Sequence, residues 1–524
     1  MRLAALALLL LAPLGAMAQT LTIGNAAVVT SLDPHYHNMV PNNAAAMHIF
    51  DRLVERDALA RPYPSLAESY RAVSDTEWEF KLRRGVKWHD GRDFTAEDVV
   101  FTFQRVPTVA NSPGGFFGYL RAIARVEVLD PHTLRIHTHQ PHPLLPLDLA
   151  SVGIIARHAA EGASTEDFNS GRATIGTGPY RLTSHRNGES LDLARNPHDW
   201  RPQPWQQVKI RFLTNDAGRT AALLAGDVDI IEQIATSDLE RLRRDPRLVV
   251  TQVPSVRTVF LSPDYSRTGP VPGVTDNAGT PLPRNPFLDE RVRHALSQAI
   301  NRDLLVERVM EGAAVATAQW LPVGAFGYNP AIRPPAFNPE AARRLLAEAG
   351  FPEGFRLTLS TPSDRWPNDS RIAQAVAQMW TRIGVRTQVE SLPFAGFVPR
   401  RTRQEFGMQL GAWGSSTGEG SNYLLSIVAT YDREKLTGAG NMTRHSNPVL
   451  DSFLTRGAAT MNEAAREAIW HEAVAYYAAH EPMIQLLQYV NVWAHRRGLT
   501  HQPRMDERSV AMSIAPNMPT MPAR

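Results

Sequence analysis

Residues 66–105, LAESYRAVSDTEWEFKLRRGVKWHDGRDFTAEDVVFTFQR, contain a clear strand pattern followed by a helix start. Apolar and charged residues alternate over residues 77–83, EWEFKLR, which predicts a half-buried strand. A helix is predicted to begin at Thr95, because its hydroxyl can accept a hydrogen bond from the amide three residues on. Glu97 and Asp98 follow, and acidic residues are favourable in the first turn of a helix.

The same alternation of strands and helices continues along the chain. Residues 126–137 predict a β-hairpin that turns at Asp130 and Pro131. Beyond residue 205 we predict helices at 217–225, 236–244, 338–350, 372–383 and 462–480, and strands at 228–231, 248–253, 356–360, 385–390, 406–413 and 483–494. Such alternation indicates an α/β fold with sheets covered by helices. The Pro- and Gly-rich residues 266–286 predict a surface excursion at a lobe boundary.

Composition and the N-terminus narrow the class of protein. The chain has 524 residues, 43% of them hydrophobic, and Lys and Arg exceed Asp and Glu by only three, so nucleic acid is not an expected partner. Residues 1–18 combine Arg2, an apolar run and Ala16-Met17-Ala18, which predicts a cleaved signal peptide and export to the periplasm. Cysteine is absent, which excludes a lipid-anchor cysteine and disulfides.

One loop carries two competing interpretations. Residues 411–422, GAWGSSTGEGSN, contain G-x-S-x-G with Ser416 at the position of a serine nucleophile. A secreted serine hydrolase therefore stays an alternative, with Asp432, Asp451, His445 and His471 as later partners. The two glycines after Ser416 are, however, a poor helix start.

The other interpretation of this loop is reversible binding. Glycines such as Gly414 expose backbone amides, while Ser415, Ser416 and Thr417 offer hydrogen-bond donors and acceptors. Trp413 and Tyr423 can wall the apolar parts of a ligand. A plain surface turn with a buried tryptophan is the alternative to this ligand cleft.

Metal carriage is a third alternative. His137, His139 and His142 in HTHQPHP could contribute ligands, and His35 and His37 have similar spacing. No carboxylate or further ligand stands at a diagnostic spacing, so a nickel or metal-chelate site is kept only as an alternative.

Several stretches together resemble one family. These are residues 66–105, GTGPYRL at 176–182, RNPHDW at 195–200, GDVDII at 226–231, LDERVRHALSQAINRDLL at 288–305 and NPEAARRLLAEAGFPEGF at 338–355. They are similar to the periplasmic solute-binding proteins of the peptide, opine and nickel class, family 5, which serve ATP-driven ABC importers.

The resemblance implies a periplasmic-binding-protein-like fold of two hinged α/β lobes with an extra subdomain inserted in the first. Lobe Ia would comprise residues 19–48, 175–265 and 494–524, lobe Ib residues 49–174 and lobe II residues 266–493. The hinge crossovers are expected near residues 259–265 and 489–494. The implied function is capture of a peptide-like solute, without catalysis or cofactor, by a monomer that delivers it to an inner-membrane permease and its ATPase.

In peptide-binding relatives, the loop after a strand ending in Trp lines the cleft, and an Asp three residues later holds the α-amine of the peptide. Here that position is Ser416, and Glu419 could supply the charge from a shifted position. Trp413 followed by STGE also looks similar to glutathione-binding members. The ligand-binding residues expected from the loop and the resemblance are Tyr36, His37, Arg401, Arg403, Trp413, Gly414, Ser415, Ser416, Thr417, Glu419, Asn422, Tyr423, Asn491 and Trp493.

Overall fold

The computed structural model describes residues 20–415 and 417–517. The predicted signal peptide lies outside these residues. In the described part of the chain, no helix has the length and apolar character needed to cross a bilayer.

The strands, in chain order, are β1 Thr20–Asn25, β2 Val54–Arg56, β3 Pro62–Pro64, β4 Ala67–Ser74, β5 Glu77–Leu82, β6 Ile123–Asp130, β7 Thr133–Thr138, β8 Tyr180–Arg186, β9 Ser190–Arg195, β10 Gln207–Phe212, β11 Ile230–Glu232, β12 Leu248–Pro263, β13 Val274–Thr275, β14 Ala314–Ala316, β15 Phe355–Pro362, β16 Val385–Leu392, β17 Met408–Gly414, β18 Ile484–Arg496, β19 Leu499–His501 and β20 Ile514–Pro516.

The helices are α1 Val40–Ile49, α2 Ala96–Arg105, α3 Leu145–Leu149, α4 Arg157–Ala160, α5 Thr165–Asn169, α6 Asp216–Ala225, α7 Leu239–Arg244, α8 Glu290–Gln298, α9 Arg302–Leu304, α10 Pro339–Glu348, α11 Asp369–Arg382, α12 Phe394–Thr402, α13 Gly420–Tyr423, α14 Pro448–Ala459 and α15 Glu463–His480.

The largest sheet runs through both halves of the molecule. Its strand order is β13-β15-β17-β12-β18-β11-β1-β10-β9-β8, with β16 beside β15 and β14 beside β18. β1 is parallel to both of its neighbours, β10 and β11. The long strands β12 and β18 pair antiparallel and carry the sheet from one half to the other. The α/β class predicted from the sequence is confirmed.

A separate four-stranded sheet, in the order β4-β5-β7-β6, forms within the range predicted for lobe Ib. The half-buried strand predicted for residues 77–83 is confirmed, because Trp78, Phe80 and Leu82 are buried on one face of β5. Asp98 caps the N-terminus of the predicted helix, since its carboxylate accepts a hydrogen bond from the Thr95 amide at 3.0 Å. This sheet and α2 share one apolar core with residues 145–156.

Two cores cover the two faces of the sheet in the range predicted for lobe II. Residues of α8, α10 and α11 form the first core, and residues of α14 and α15 contribute to the second. The segment 266–286 differs from the predicted surface excursion: Val271, Val274 and Leu282 are buried in the first core. The reason is that β13 pairs with β15 and so becomes part of the sheet.

The two long strands lose register at one place. Pro254 pairs with Val490, and the pairing resumes at Thr258 and Gln488. Residues 255–257 therefore lie opposite a single residue of β18. An irregularity of this kind bends a strand without breaking the pairing on either side of it. It lies just before the outward crossover expected at residues 259–265, and the lobe boundaries themselves stay a prediction.

His48 connects α1 to the C-terminal segment. The side chain is buried, its Nδ1 lies 2.8 Å from Ala44 O, and its Nε2 lies 3.0 Å from the Ala511 amide nitrogen. The Ala511 N–H must donate to an unprotonated Nε2, so the ring has to be neutral. Burial lowers the pKa of His48 from 6.5 to about 4.

This arrangement predicts sensitivity to acid. Below pH 6.5 the unfolded chain binds a proton at His48, while the folded chain does so only near pH 4, so this stabilisation is complete above pH 6.5 and is lost as the pH falls. Between pH 7 and pH 5 the free energy of unfolding should fall by about 2 kcal/mol more in the wild type than in His48→Gln. Urea unfolding at both pH values measures the difference. Equal losses in the two proteins would contradict the assignment.

Candidate ligand-binding site

The candidate site begins where β17 leaves the sheet. The Ser415 amide donates to Val256 O at the strand irregularity, at 3.1 Å. Ser415 Oγ accepts from the Gly418 amide at 2.9 Å, which closes a tight turn. Gly418 has a φ of 73°, and a Cβ there would lie 2.4 Å from the Cβ of Ala60. The loop therefore contacts Ala60 of the predicted lobe Ib, and only glycine fits at this contact.

The strand irregularity is held beside this loop by an ion pair. Arg257 Nε lies 2.9 Å from Glu507 Oε1, and Ser255 Oγ donates to the same carboxylate oxygen at 2.9 Å. A Cβ on Gly414 would lie 3.1 Å from the Arg257 guanidinium. The end of β17, the bulged strand β12 and the C-terminal segment thus meet at one point.

A cavity of about 60 Å³ lies against β17. Gln409, Gly411 and Trp413 alternate along the strand and so present one face to it. Phe260 and Ser262 of β12 share this face, because they pair with Gly411 and Gln409. The end of α12 and the loop 440–443 complete the wall.

Three buried polar atoms in this wall have no hydrogen-bond partner among residues 20–415 and 417–517. They are Arg401 Nε, Gln409 Oε1 and Thr443 Oγ1. A buried donor or acceptor left unpaired costs about 1–3 kcal/mol, so three of them in one wall are unusual. A donor, an acceptor and a hydroxyl that can be either are well suited to a polar ligand group.

Arg401 also lacks a counter-charge within the described part of the chain. Its neighbour Arg400 lies 2.6 Å from Glu390 and 3.0 Å from Glu405. Burial alone lowers the pKa of Arg401, with no charged neighbour contributing. Arginine nevertheless remains protonated in proteins. A partly buried guanidinium without a carboxylate partner can bind a planar anionic group such as a ligand carboxylate.

Arg403 does not share this wall, so its expected contact with a ligand stays a prediction without support from the cavity. Its side chain is 60% exposed, and its Nε lies 2.6 Å from Glu405 Oε1. α12 ends one residue earlier, and Arg403 is part of a solvent-exposed ion pair.

Glu419 does not face a ligand either. The residue is 1% exposed, and its Oε1 accepts from Trp470 Nε1 at 2.5 Å. Its Oε2 accepts from the amide and from the hydroxyl of Ser421, at the start of α13. Burial raises the pKa of Glu419. With both oxygens occupied by protein donors, this carboxylate cannot act as the shifted counter-charge for a ligand amine.

The residues after Glu419 turn into the core. Tyr423 is 1% exposed, and its ring stacks on Trp320 with centroids 5.3 Å apart. The burial of this ring does not favour a ligand contact, and the expected role of Tyr423 stays a prediction. Asn422 has a different role, because its Oδ1 accepts from Trp413 Nε1 at 2.9 Å and so orients the indole. Thr417 is buried, and its Oγ1 has no hydrogen-bond partner among the described residues.

The expected residues of the first lobe are placed as follows. Tyr36 and His37 are half-buried in a loop that contacts residues 112–114 of lobe Ib. Asn491 Nδ2 donates to Arg504 O and Met505 O at 3.0 and 3.1 Å. Trp493 is 1% exposed and packs in the same core as Leu21 and Ile23 of β1, so its expected contact with a ligand stays a prediction that this burial does not support.

The wall contains residues that the sequence analysis did not name. Gln409 could have been found from Trp413, because residues four apart on a strand share a face. Thr443 carries no such signal, since it is brought to the wall by a loop without periodicity.

The hydrolase alternative gains no support from the described residues. Ser416 itself lies outside them. His445 Nδ1 lies 3.1 Å from Val428 O, and His471 Nε2 lies 3.1 Å from Tyr328 O. Neither ring is paired with a carboxylate in the described part of the chain, as a serine nucleophile would require.

The histidines considered for a metal are engaged separately. His137 lies 3.1 Å from Glu77, and His142 lies 2.7 Å from Asp148. His35 is buried, and its Nε2 contacts Gly153 O. Across the described ranges, no three His, Asp or Glu side chains are placed to hold a metal ion together.

Comparison with known proteins adds sequence evidence. Residues 61–435 match the family model of the bacterial extracellular solute-binding proteins, family 5 Middle. The heme-binding protein A of Haemophilus influenzae is 26% identical over 485 residues, which cover 86% of this chain and 83% of that protein. The dipeptide-binding protein of Escherichia coli is 26% identical over 417 residues, 74% of each chain.

A solved structure agrees with the fold. HbpA2 from Haemophilus parasuis superimposes with a TM-score of 0.82 at 23% identity, over 95% of this chain and 100% of that one. The periplasmic-binding-protein-like fold expected from the sequence is therefore confirmed.

Proposed function

The chain belongs to the bacterial extracellular solute-binding proteins of family 5, and on that premise we propose that it is the periplasmic solute-binding component of an ABC importer. It captures a small peptide-like solute that carries a carboxylate and delivers it to a membrane permease and its ATPase. It works as a monomer and leaves the solute chemically intact. The predicted signal peptide supports export, and the dipeptide-binding relative supports the solute class.

One observation carries the proposal for the site. Arg401 lines a cavity together with Gln409 and Thr443, and all three present buried polar atoms without a partner among the described residues. A carboxylate would accept from the guanidinium and from the Thr443 hydroxyl, so it would satisfy two of these groups at once. Trp413, held by Asn422, would pack against the apolar part of the solute.

The proposed site has one wall on each side of the cleft. In lobe II it comprises Arg401, Gln409, Trp413, Thr443 and the loop 414–417, in which Ser416 stays a proposal. In lobe I it includes Tyr36 and His37. A ligand favours closure only through contacts that it makes better in the closed state, so groups from both lobes are required. The contact between Gly418 and Ala60, which lie in the predicted lobes II and Ib, supports a site that draws on both sides of the cleft.

The proposal predicts stabilisation by carboxylate-bearing peptides. Thermal unfolding of the mature protein should be measured with di- and tripeptides, the same peptides with amidated C-termini, glutathione, opines, haem and nickel–histidine chelates. The free-acid peptides should raise the unfolding midpoint and reduce the radius of gyration in solution scattering, and the amidated peptides should do neither. A midpoint and radius unchanged across the whole panel would overturn the proposal, as would recovery of a chemically altered solute.

A further inference from the structure

Four arginines meet where lobe Ib joins the C-terminal segment. Arg52, Arg56, Arg504 and Arg508 are 2%, 3%, 7% and 9% exposed, respectively. Their charges act on one another, since each of the other three opposes protonation of Arg508. We call this group the arginine cluster.

Within the described ranges, two carboxylates form ion pairs with Arg52, Arg504 and Arg508. Arg52 lies 2.9 Å from Glu55, and Arg504 lies 2.7 Å from Asp506. Arg508 must share Asp506 with Arg504, at the longer distance of 3.4 Å. The next carboxylate along the chain, Glu507, is occupied by Arg257. Buried charges are costly unless paired, and Arg52, Arg504 and Arg508 together carry more positive charge than the two carboxylates of these ion pairs balance.

Arg508 is the least satisfied member of the cluster. Apart from Asp506, its Nη1 contacts the Met47 sulfur at 3.6 Å, and its Nε has no partner among the described residues. Arg52 Nε likewise has none within the described ranges. Burial is the largest influence on the pKa of Arg508 and lowers it to about 10.

A buried arginine elsewhere in the chain has hydrogen-bond acceptors for all three of its guanidinium nitrogens. Arg293 is 6% exposed, and its Nε donates to Glu481 O at 3.0 Å. Its Nη1 and Nη2 donate to Phe287 O and His480 O, both at 2.9 Å. Burial alone therefore does not explain the unpaired donors of Arg508.

The arginine cluster borders the cleft. Arg504 Nη2 donates to Arg56 O at 3.0 Å, at the start of the segment whose residue Ala60 contacts Gly418. On the other side, Asp506 is followed by Glu507, which binds Arg257 at the strand irregularity. The arginine cluster thus adjoins both the contact between Ala60 and Gly418 and the strand irregularity.

We propose that the arginine cluster binds an oxyanion, with Arg508 and Arg52 as its principal donors. The oxyanion is either an acidic group of the imported solute or a free inorganic anion such as phosphate. Binding of an acidic group of the solute rests on the proposed function, whereas binding of a free inorganic anion does not. Guanidinium donors match the geometry of carboxylate and phosphate oxygens.

Inorganic phosphate tests whether the cluster binds a free inorganic anion. At constant ionic strength, replacing chloride by phosphate should raise the unfolding midpoint of the mature wild-type protein by about 2–4 °C. Arg508→Met should lose most of this rise. Arg293→Met is the matched control: its midpoint is lower, but it keeps the full rise. If Arg508→Met does not fold, Arg508→Lys, which keeps the charge and loses the Nε donor, should still lose at least half of the rise.

Peptides with one or two carboxylates test whether the cluster binds an acidic group of the imported solute. If the solute supplies the oxyanion, Arg508→Met should weaken binding of a dicarboxylate peptide by about 10-fold or more and of its monocarboxylate counterpart by less than about 3-fold. The inference would be overturned if phosphate raised the unfolding midpoint equally in the wild type and in Arg508→Met, and if Arg508→Met bound the dicarboxylate peptide as tightly as the wild type does. A phosphate effect specific to Arg508 in a protein that binds no solute would keep this inference and refute the proposed function.

Discussion

Arg401→Met is expected to weaken binding of a carboxylate-bearing peptide by about 30-fold to 1000-fold. The methionine keeps much of the volume of the side chain and its packing near the Phe397 ring, which lies 5.9 Å from the guanidinium. It removes the one cation of the cavity wall that has no carboxylate partner in the described chain. The ligand carboxylate would then be buried without a counter-charge, which costs far more than the loss of one exposed contact.

The measurement is calorimetric titration of the wild type and the variant with a peptide that stabilises the wild type. Arg403→Met is the matched control, because it removes an arginine from the same chain segment that is exposed and paired with Glu405. It should change the affinity by less than about 2-fold, as expected for an exposed ion pair. If Arg401→Met and Arg403→Met lost the same amount of peptide affinity, Arg401 would not be a ligand-binding residue.

Gly176→Ala is expected to lower the free energy of unfolding by about 3 kcal/mol or more, the largest stability effect that we predict. Gly176 begins the GTGPY stretch, which crosses the end of α1. A Cβ at this position would lie 1.7 Å from Ile49 O, and Gly178 N donates to the same oxygen at 2.9 Å. Backbone crowds the site, so no side-chain rotation can relieve the clash.

Gly118→Ala is the control for this substitution. A Cβ on Gly118 would meet nothing within 4 Å, so its effect should stay within about 0.5 kcal/mol. Urea unfolding of the two variants and the wild type gives the comparison. A Gly176→Ala protein as stable as Gly118→Ala would show that the close approach of this stretch to α1 is not needed.

Much of the fold could be predicted from the sequence because its signals are local. Alternating residues predicted β5, the acidic first turn predicted α2, and apolar spacing predicted α11. The strand leading to Trp413 was predicted for the same reason. By contrast, residues 266–286 looked like a surface excursion, because a two-residue strand such as β13 has too little pattern to recognise.

The site was harder to predict because proximity in sequence does not fix the direction of a side chain. Trp413 and Tyr423 were both expected to face a ligand. The turn after β17 sends Tyr423 into a core, where it stacks on Trp320. Glu419 was expected to meet a ligand amine, but its partner Trp470 lies 51 residues away, and no local pattern indicates that contact. Arg401 was expected from the resemblance to the family, whereas nothing in the sequence indicated Thr443.

The order of strands in the large sheet has a consequence for how the chain acquires its structure. β1 pairs with β10 and β11, and β11 pairs with β18 near the C-terminus, so the first lobe draws on both ends of the chain. Contacts between such distant segments form slowly. A nascent chain that stops before Ile484 would leave β11 and β12 with open edges, and such edges promote aggregation. Only the nearly complete polypeptide can close this sheet.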